Sequence, residues 1–334
     1  GAAGLHAAPA GTSGVKMGKY ILGRVLRWIP SVMMLLLLIY ALVFFGAGDP
    51  IKLIFLRAPG DVAYDPERIE AIREAAGLNR PFLVQFGSYL SHIAQGDFGN
   101  SLVSGRSVNS MLSAAVPVTL QLGLTAITLL AIFGIALGVV AALNQNKAID
   151  NAIVGFALFI WGIPVFVAGP LIIVLMVLGM GMDVPFGWSG LFHPKVIVPL
   201  LVLGLNPMAI IIRQARTGVL EVLSEDYVRT ARAKGLPARI VVFRHILRPV
   251  LTPVVSQLGL IVIGTLNNSI LIEKVFGLPG LGRLTESAIK DSDYPVILAI
   301  VLIFSIVVML SNLLVDIAYP LLDPRAASKK KGEE

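Results

Sequence analysis

A chain of 334 residues that is 56% hydrophobic and 14% charged, with a mean hydropathy of +0.83, is too apolar for a soluble domain, where about a quarter of residues carry charge. The net charge is +7, and the basic excess falls on alternate connections between apolar runs, which fits positive-inside topology and argues against a nucleic-acid patch. There is no cysteine, which excludes disulfides, thiol catalysis and cysteine metal sites, and the four histidines are scattered without metal-ligand spacing.

Residues 1–16 show no periodicity and read as a disordered tail or an extension ahead of Met17. Lys19, Arg24 and Arg27 then lead into the apolar run Trp28–Ala47. That run is too long for a signal peptide and lacks a small-x-small cleavage site, so it reads as a retained transmembrane helix with its N-terminus inside. Residues 48–115 form a helical insert outside the membrane. Asp65–Gly77 has the pattern of a capped amphipathic helix, with Ile69 and Ile72 on one face and Gly77 as its stop. A second helix follows Arg80-Pro81, with Phe82, Phe86, Tyr89, Leu90 and Ile93 at helical spacing, and Gly96-Asp-Phe-Gly-Asn-Ser101 closes it. This patterned surface suits either a packed cap over the first helices or contact with an external partner.

Residues 116–325 form the main transmembrane domain. Its five further runs, about 117–142, 152–179, 196–212, 251–272 and 295–319, each suffice to cross a core of about 30 Å. With the first run they give an all-α polytopic fold of six spans, both termini on the same inner side. The basic 213–250 connection and the tail at 326–334, with Lys329-Lys-Lys331, agree with that orientation. Pro164 and Pro170 are expected to kink or break the third span, and the 180–194 turn carries Trp188 as an interface anchor.

One polar stretch interrupts the apolar pattern. Ser224 reads as the N-cap of a short helix, Glu225 and Asp226 as dipole-favoured acids in its first turn, and Glu225–Arg229 as an i,i+4 pair. Lys234 and Gly235 close it, and Pro237 opens a second helix. Between Pro117 and Ala142, Ala152 and Gly179, and Leu251 and Ile272 there is no ionisable residue. An autonomous secondary transporter usually binds its driving ion on such groups, or shows an inverted repeat, so that alternative is weakened, as is a membrane-embedded enzyme. No Gly-x-x-x-x-Gly-Lys-Ser/Thr occurs, and Gly277-Leu-Pro-Gly-Leu-Gly282 lacks the Lys and Ser/Thr of a phosphate loop, so any ATPase belongs to another chain. Asn206 in the fourth span and Asn267, Asn268 and Ser269 in the fifth either bond between helices or line a passage. Pro279, Gly280 and Gly282 permit a tight turn that returns Phe276 and Leu281 to apolar surroundings.

Two of these segments carry a family resemblance. Tyr227-Val-Arg-Thr-Ala-Arg-Ala-Lys-Gly-Leu236, followed by Arg244-His-Ile-Leu-Arg248, resembles the "EAA" loop of bacterial ABC importer permeases in its peptide-permease variant. Arg229 and Thr230 stand in place of the general Glu-Ala. Glu273-Lys-Val-Phe-Gly-Leu-Pro-Gly-Leu-Gly282 is similar to the segment after the fifth span of the same permeases, and Gly48-Asp-Pro50 and Gly96-Asp-Phe-Gly99 resemble their outer loop. The resemblance covers about residues 17–325. It implies a B-type permease subunit of a peptide-class importer in the cytoplasmic membrane, which binds no cofactor itself. Its implied partners are a homologous second permease, two ATPase subunits that use ATP and magnesium, and an external substrate-binding protein. It assigns Tyr227, Arg229, Thr230, Ala231, Lys234 and Gly235 to ATPase docking, and Phe276, Pro279, Gly280 and Gly282 to an outer gate or turn.

Overall fold

The computed structural model describes residues 12–46, 66–75 and 79–322. The expected features at Gly48-Asp-Pro50, Asp65, Gly77 and the 326–334 tail lie outside them. The chain is all-helical: α1 (Thr12–Gly46), α2 (Pro66–Ala75), α3 (Phe82–Ala94), α4 (Val108–Leu143), α5 (Ala148–Trp161), α6 (Val165–Val174), α7 (Ile197–Leu223), α8 (Asp226–Ala233), α9 (Ala238–Val275), α10 (Leu281–Asp291) and α11 (Tyr294–Leu322). Among the described residues β pairing is limited to one isolated antiparallel bridge, Asn100 to Ser107. Helix α1 starts at Thr12, ahead of the expected boundary at Met17.

Among the described residues five helices are long and apolar enough to cross a membrane, six if the bent pair α5 and Val165–Gly179 counts as one span. That pair turns by 98°. The cause is local: Pro164 lacks an N–H, its ring crowds the preceding turn, and the helical region is disfavoured for any residue that precedes a proline. Pro164 therefore caps α6 instead of continuing α5. Pro170 stays inside α6, which ends in a π-helical turn over Leu175–Gly179. The other helices outrun their apolar stretches. Helix α7 continues to Leu223 and α9 begins at Ala238, because a bilayer limits the apolar run but not the helix.

The centre of the bundle is α4 against α7. Gly134 and Gly138, four residues apart on α4, let the two backbones approach as small residues do between membrane helices. A Cβ on Gly138 would lie 2.7 Å from both the Ala215 Cβ and the Ile212 carbonyl oxygen, so no larger residue fits. Around this contact Leu122, Ala126 and Leu130 of α4 pack with Leu203, Ala209 and Ile212 of α7 and Ile272 of α9. The two ends of the bundle differ. At one, Val108 and Leu112 of α4 meet Leu281 and Ala288 of α10 and Val296 and Ile300 of α11. At the other, Val139 and Ala142 of α4 meet Val219, Val228 and Ile246.

Helix α1 is peripheral. Arg24 pairs with Asp316 of α11, a helix-pairing contact, and further along Leu36 is buried with Phe86 of α3 and Leu302 of α11. The expected stripe on α3 forms: Phe86, Tyr89, Leu90 and Ile93 pack on α1, with Tyr40 ringed by Phe82, Phe86 and Tyr89 at 5.4–5.9 Å between centroids. Asp293, at the start of α11, accepts hydrogen bonds from the Ser101 hydroxyl (2.5 Å) and the Leu102 N–H (3.1 Å). That ties the closing loop of the insert to the same end of the bundle as α10.

Candidate functional site

Two segments of the chain end their helices in the same way. The sequence Gly-Leu-Pro occurs at 235–237 and again at 277–279, each time after the last turn of a helix. Gly235 has φ +71° and Gly277 φ +64°, the left-handed region in which glycine has no Cβ penalty. The Gly235 N–H donates to the Arg232 carbonyl and the Leu236 N–H to the Ala231 carbonyl. In parallel, the Gly277 N–H donates to Lys274 and the Leu278 N–H to Glu273. This is the double closure of a Schellman turn, with the leucine folding back on the helix and the proline preventing its continuation.

At the first of these segments α8 lies across the end of the bundle. Its cap is Glu225, one residue later than expected, because Ser224 ends α7 by donating its hydroxyl to the Glu221 carbonyl (2.7 Å). Asp226, not Glu225, pairs with Arg229 (3.6 Å), since both side chains sit one turn apart on the exposed face. Pro237 is likewise a cap and not the first helical residue. Val228 and Ala231 are buried against Val219, Val241, Ile246 and Val250, so α8 is packed on α7 and α9. Ala231 therefore serves the chain's own core. Tyr227, Arg229, Thr230, Lys234 and Gly235 remain exposed on the outward side. Burial, then the Glu225 carboxylate, pushes the Tyr227 phenol up, so it stays a neutral hydrogen-bonding group. The segment enters α9 through a π-helical stretch, Val241–Ile246.

An ion pair between a buried carboxylate and a half-buried arginine braces this end. Asp150, in the first turn of α5, receives both Nε and an Nη of Arg216 at 2.7 Å, and the Asn146 N–H at 2.9 Å. The bidentate geometry fixes the α4–α5 connection to α7 one turn before the helix leaves the core. Sequence reading missed it, because a pairing across 66 residues leaves no local signal.

The second segment is built around Glu273, whose side chain is fully buried. Its carboxylate accepts from the Thr119 hydroxyl of α4 (2.7 Å), the Gly282 N–H (2.6 Å) and the Arg283 N–H (3.1 Å), while Thr119 accepts from the Leu281 N–H (2.7 Å). The first three N–H groups of α10 are thus satisfied by side chains of other helices. Its own cap position, Gly280, has no side chain to offer. A Cβ on Gly280 would sit 2.5 Å from the Glu273 carboxylate, and one on Gly282 would meet both that carboxylate and the Ile270 backbone. The glycines of the motif are there to admit a carboxylate to a helix N-terminus. Phe276 and Leu281 are buried, as expected. The Phe276 carbonyl accepts from the Gly187 N–H (2.9 Å), joining the 180–194 turn, and Trp188 of that turn is half-buried against the core. Outside the span Lys274 reaches Glu286 and holds its carboxyl below the usual range.

The four expected passage residues do not form one patch. Asn267 is exposed, Asn206 and Asn268 are half-buried, and Ser269 is buried with its hydroxyl on the Leu266 carbonyl. Among the described residues no three His, Asp or Glu side chains come together as a metal site.

Residues 134–328, from the last third of α4 onward, match the family described as binding-protein-dependent transport system inner membrane component. The chain belongs to that family. Over 92% of its length it is 36% identical to the oligopeptide transport system permease protein OppB of Salmonella typhimurium, covering 99% of that protein. It is 39% identical, again over 92%, to the glutathione transport system permease protein GsiC of Salmonella choleraesuis, covering 98% of it. A chain of the inward-facing MetNI methionine ABC transporter has the same fold, with a TM-score of 0.54 at 16% identity over 64% of this chain and 96% of that one. As an inner membrane component the chain is a non-catalytic permease subunit of an ABC importer, contributing to the translocation pathway.

Proposed function

We propose that this permease serves a peptide-class importer, with α8 and both termini in the cytoplasm and α3 and α10 outside. The observation that carries this reading is α8 itself. It is a short polar helix fixed to the bundle by Val228 and Ala231, packed against α7 and α9 and joined to each by a short turn, and exposing Tyr227, Arg229, Thr230, Lys234 and Gly235 together. A soluble ATPase that grips this face and closes on ATP would move α7 and α9 as levers, giving a hinge or shear change in access. ATP and magnesium bind to the ATPase subunits, and a second permease completes the pathway. An external binding protein meets the α3 and α10 end, where the buried Glu273 cap keeps the turn in one shape. The peptide class follows the two relatives, whose names give oligopeptide and glutathione as their cargo. Polar residues within the spans, such as Asn206 of α7 and Asn267 of α9, then line the path.

The chain has no cysteine, so a single introduced thiol reports unambiguously. T230C carrying a benzophenone maleimide is expected to photo-cross-link to an ATPase subunit in the assembled complex, and K195C, at the opposite end, is not. Cross-linking from position 195 and none from 230 would reverse the orientation proposed.

A further inference from the structure

Arg213 and Arg216 lie one turn apart on α7 but meet different surroundings. Arg216 is held bidentately by Asp150. Arg213 has no ion-pair partner among the described residues, and its guanidinium lies 5.2 Å from the ring centroid of Trp161, the last residue of α5. Both border a partly open cavity of about 370 Å³ lined by Trp161, Ile210, Arg213, Gln214, Thr217 and Gln257. Arg213 is the first charge beyond the apolar run of α7, and an arginine at that edge that lines a partly open cavity without an acid to pair with marks a candidate functional site.

The lining has a definite chemical bias. A cation–π contact with the indole consumes none of the N–H donors of the guanidinium, and those donors match a carboxylate. Two glutamine amides and a threonine hydroxyl add neutral donors, and no acidic side chain lines the cavity. Such a site complements an anion and not an ammonium group. Its position also fits a route. On α7 Asn206, Ile210, Arg213 and Thr217 follow helical spacing, and on α9 Gln257, Gly264 and Asn267 do the same. The cavity therefore continues the two helix faces that carry the passage asparagines.

We infer that this cavity is a carboxylate station on the translocation path, where Arg213, positioned by Trp161, takes the free carboxylate of the passing solute. The inference rests on the peptide reading insofar as that carboxylate is a peptide C-terminus. A single charge-assisted contact in a water-open cavity gives about a tenfold preference, enough to orient a solute without trapping it.

The test uses the complete importer in lipid nanodiscs and in vesicles. Photolabelling with 4-benzoylbenzoate is expected to mark peptides containing Trp161 or Gln257. Labelling should fall about tenfold in R213Q, recover partly in R213K, and be absent with the methyl ester of the probe. In ATP-driven uptake, R213Q should slow trialanine about tenfold while leaving trialaninamide nearly unchanged. Comparing variant with native for each peptide cancels any preference of the binding protein. Equal loss for both peptides, or labelling indifferent to the carboxylate, overturns the station. Labelling abolished by anionic lipid, with no change in the uptake ratio, overturns it in favour of a lipid phosphate on Arg213. A native complex that hydrolyses ATP yet imports neither peptide refutes the peptide reading alone, and the labelling result then decides the carboxylate site.

Discussion

Gly235→Trp is expected to cut ATP-driven uptake by about tenfold or more while the subunit still inserts and folds. Within the chain the change is cheap. A Cβ at Gly235 meets nothing within 4 Å, and the cost is confined to placing a non-glycine residue at φ +71°, about 1 kcal/mol. The anchoring of α8 by Val228, Ala231 and Leu236 is untouched. The bulk instead projects from the exposed face beside Thr230 and Lys234, where overpacking against a docked ATPase would cost about 1–3 kcal/mol, or roughly tenfold to a hundredfold in coupling. Gly235→Ala, which carries the backbone strain without the bulk, separates the two effects and should retain most uptake. The measurement is uptake and ATP hydrolysis in the same vesicles. Normal uptake by the Trp variant would move the docking surface away from α8.

Glu273→Ala should be among the most destabilising single changes in the molecule. It leaves the Thr119 hydroxyl and the Gly282 and Arg283 N–H groups without an acceptor in a fully buried site, at a cost of about 3 kcal/mol. Glu273→Gln keeps one acceptor oxygen but turns an amide donor toward backbone donors, so it falls between the two. Thermal unfolding of the purified importer in detergent should rank native above Gln above Ala. An Ala variant as stable as native would mean that α10 finds another cap and that the turn does not depend on this carboxylate.

These two sites were legible in the sequence to different depths. Helix α8 is encoded locally, since a charged first turn, a glycine stop and a following proline suffice to delimit it, and the structure shifts only its cap by one residue and its ion pair by one partner. The break at Pro164 is local in the same sense. The outer motif was recognisable as a turn, but the helix that follows it was not. Its glycine-rich start hides the spacing of Leu281, Leu284 and Ala288, which would have indicated an amphipathic helix. The role of Glu273 depends on Thr119, 154 residues away, and that of Asp150 on Arg216, so neither partner is written near the residue itself. Arg213 was passed over for a simpler reason. The apolar run ends at Ile212, and a charge just past its edge reads as loop until the helix is seen to continue to Leu223.

The central claim, that this chain is the permease half of an ATP-driven peptide importer, is tested most directly by affinity purification from native membranes in mild detergent, followed by reconstitution of what is recovered. The account predicts two ATPase subunits and a second permease in the eluate, and peptide uptake that requires ATP and the external binding protein. A chain that purifies alone and moves solute without ATP would contradict it and restore the autonomous carrier.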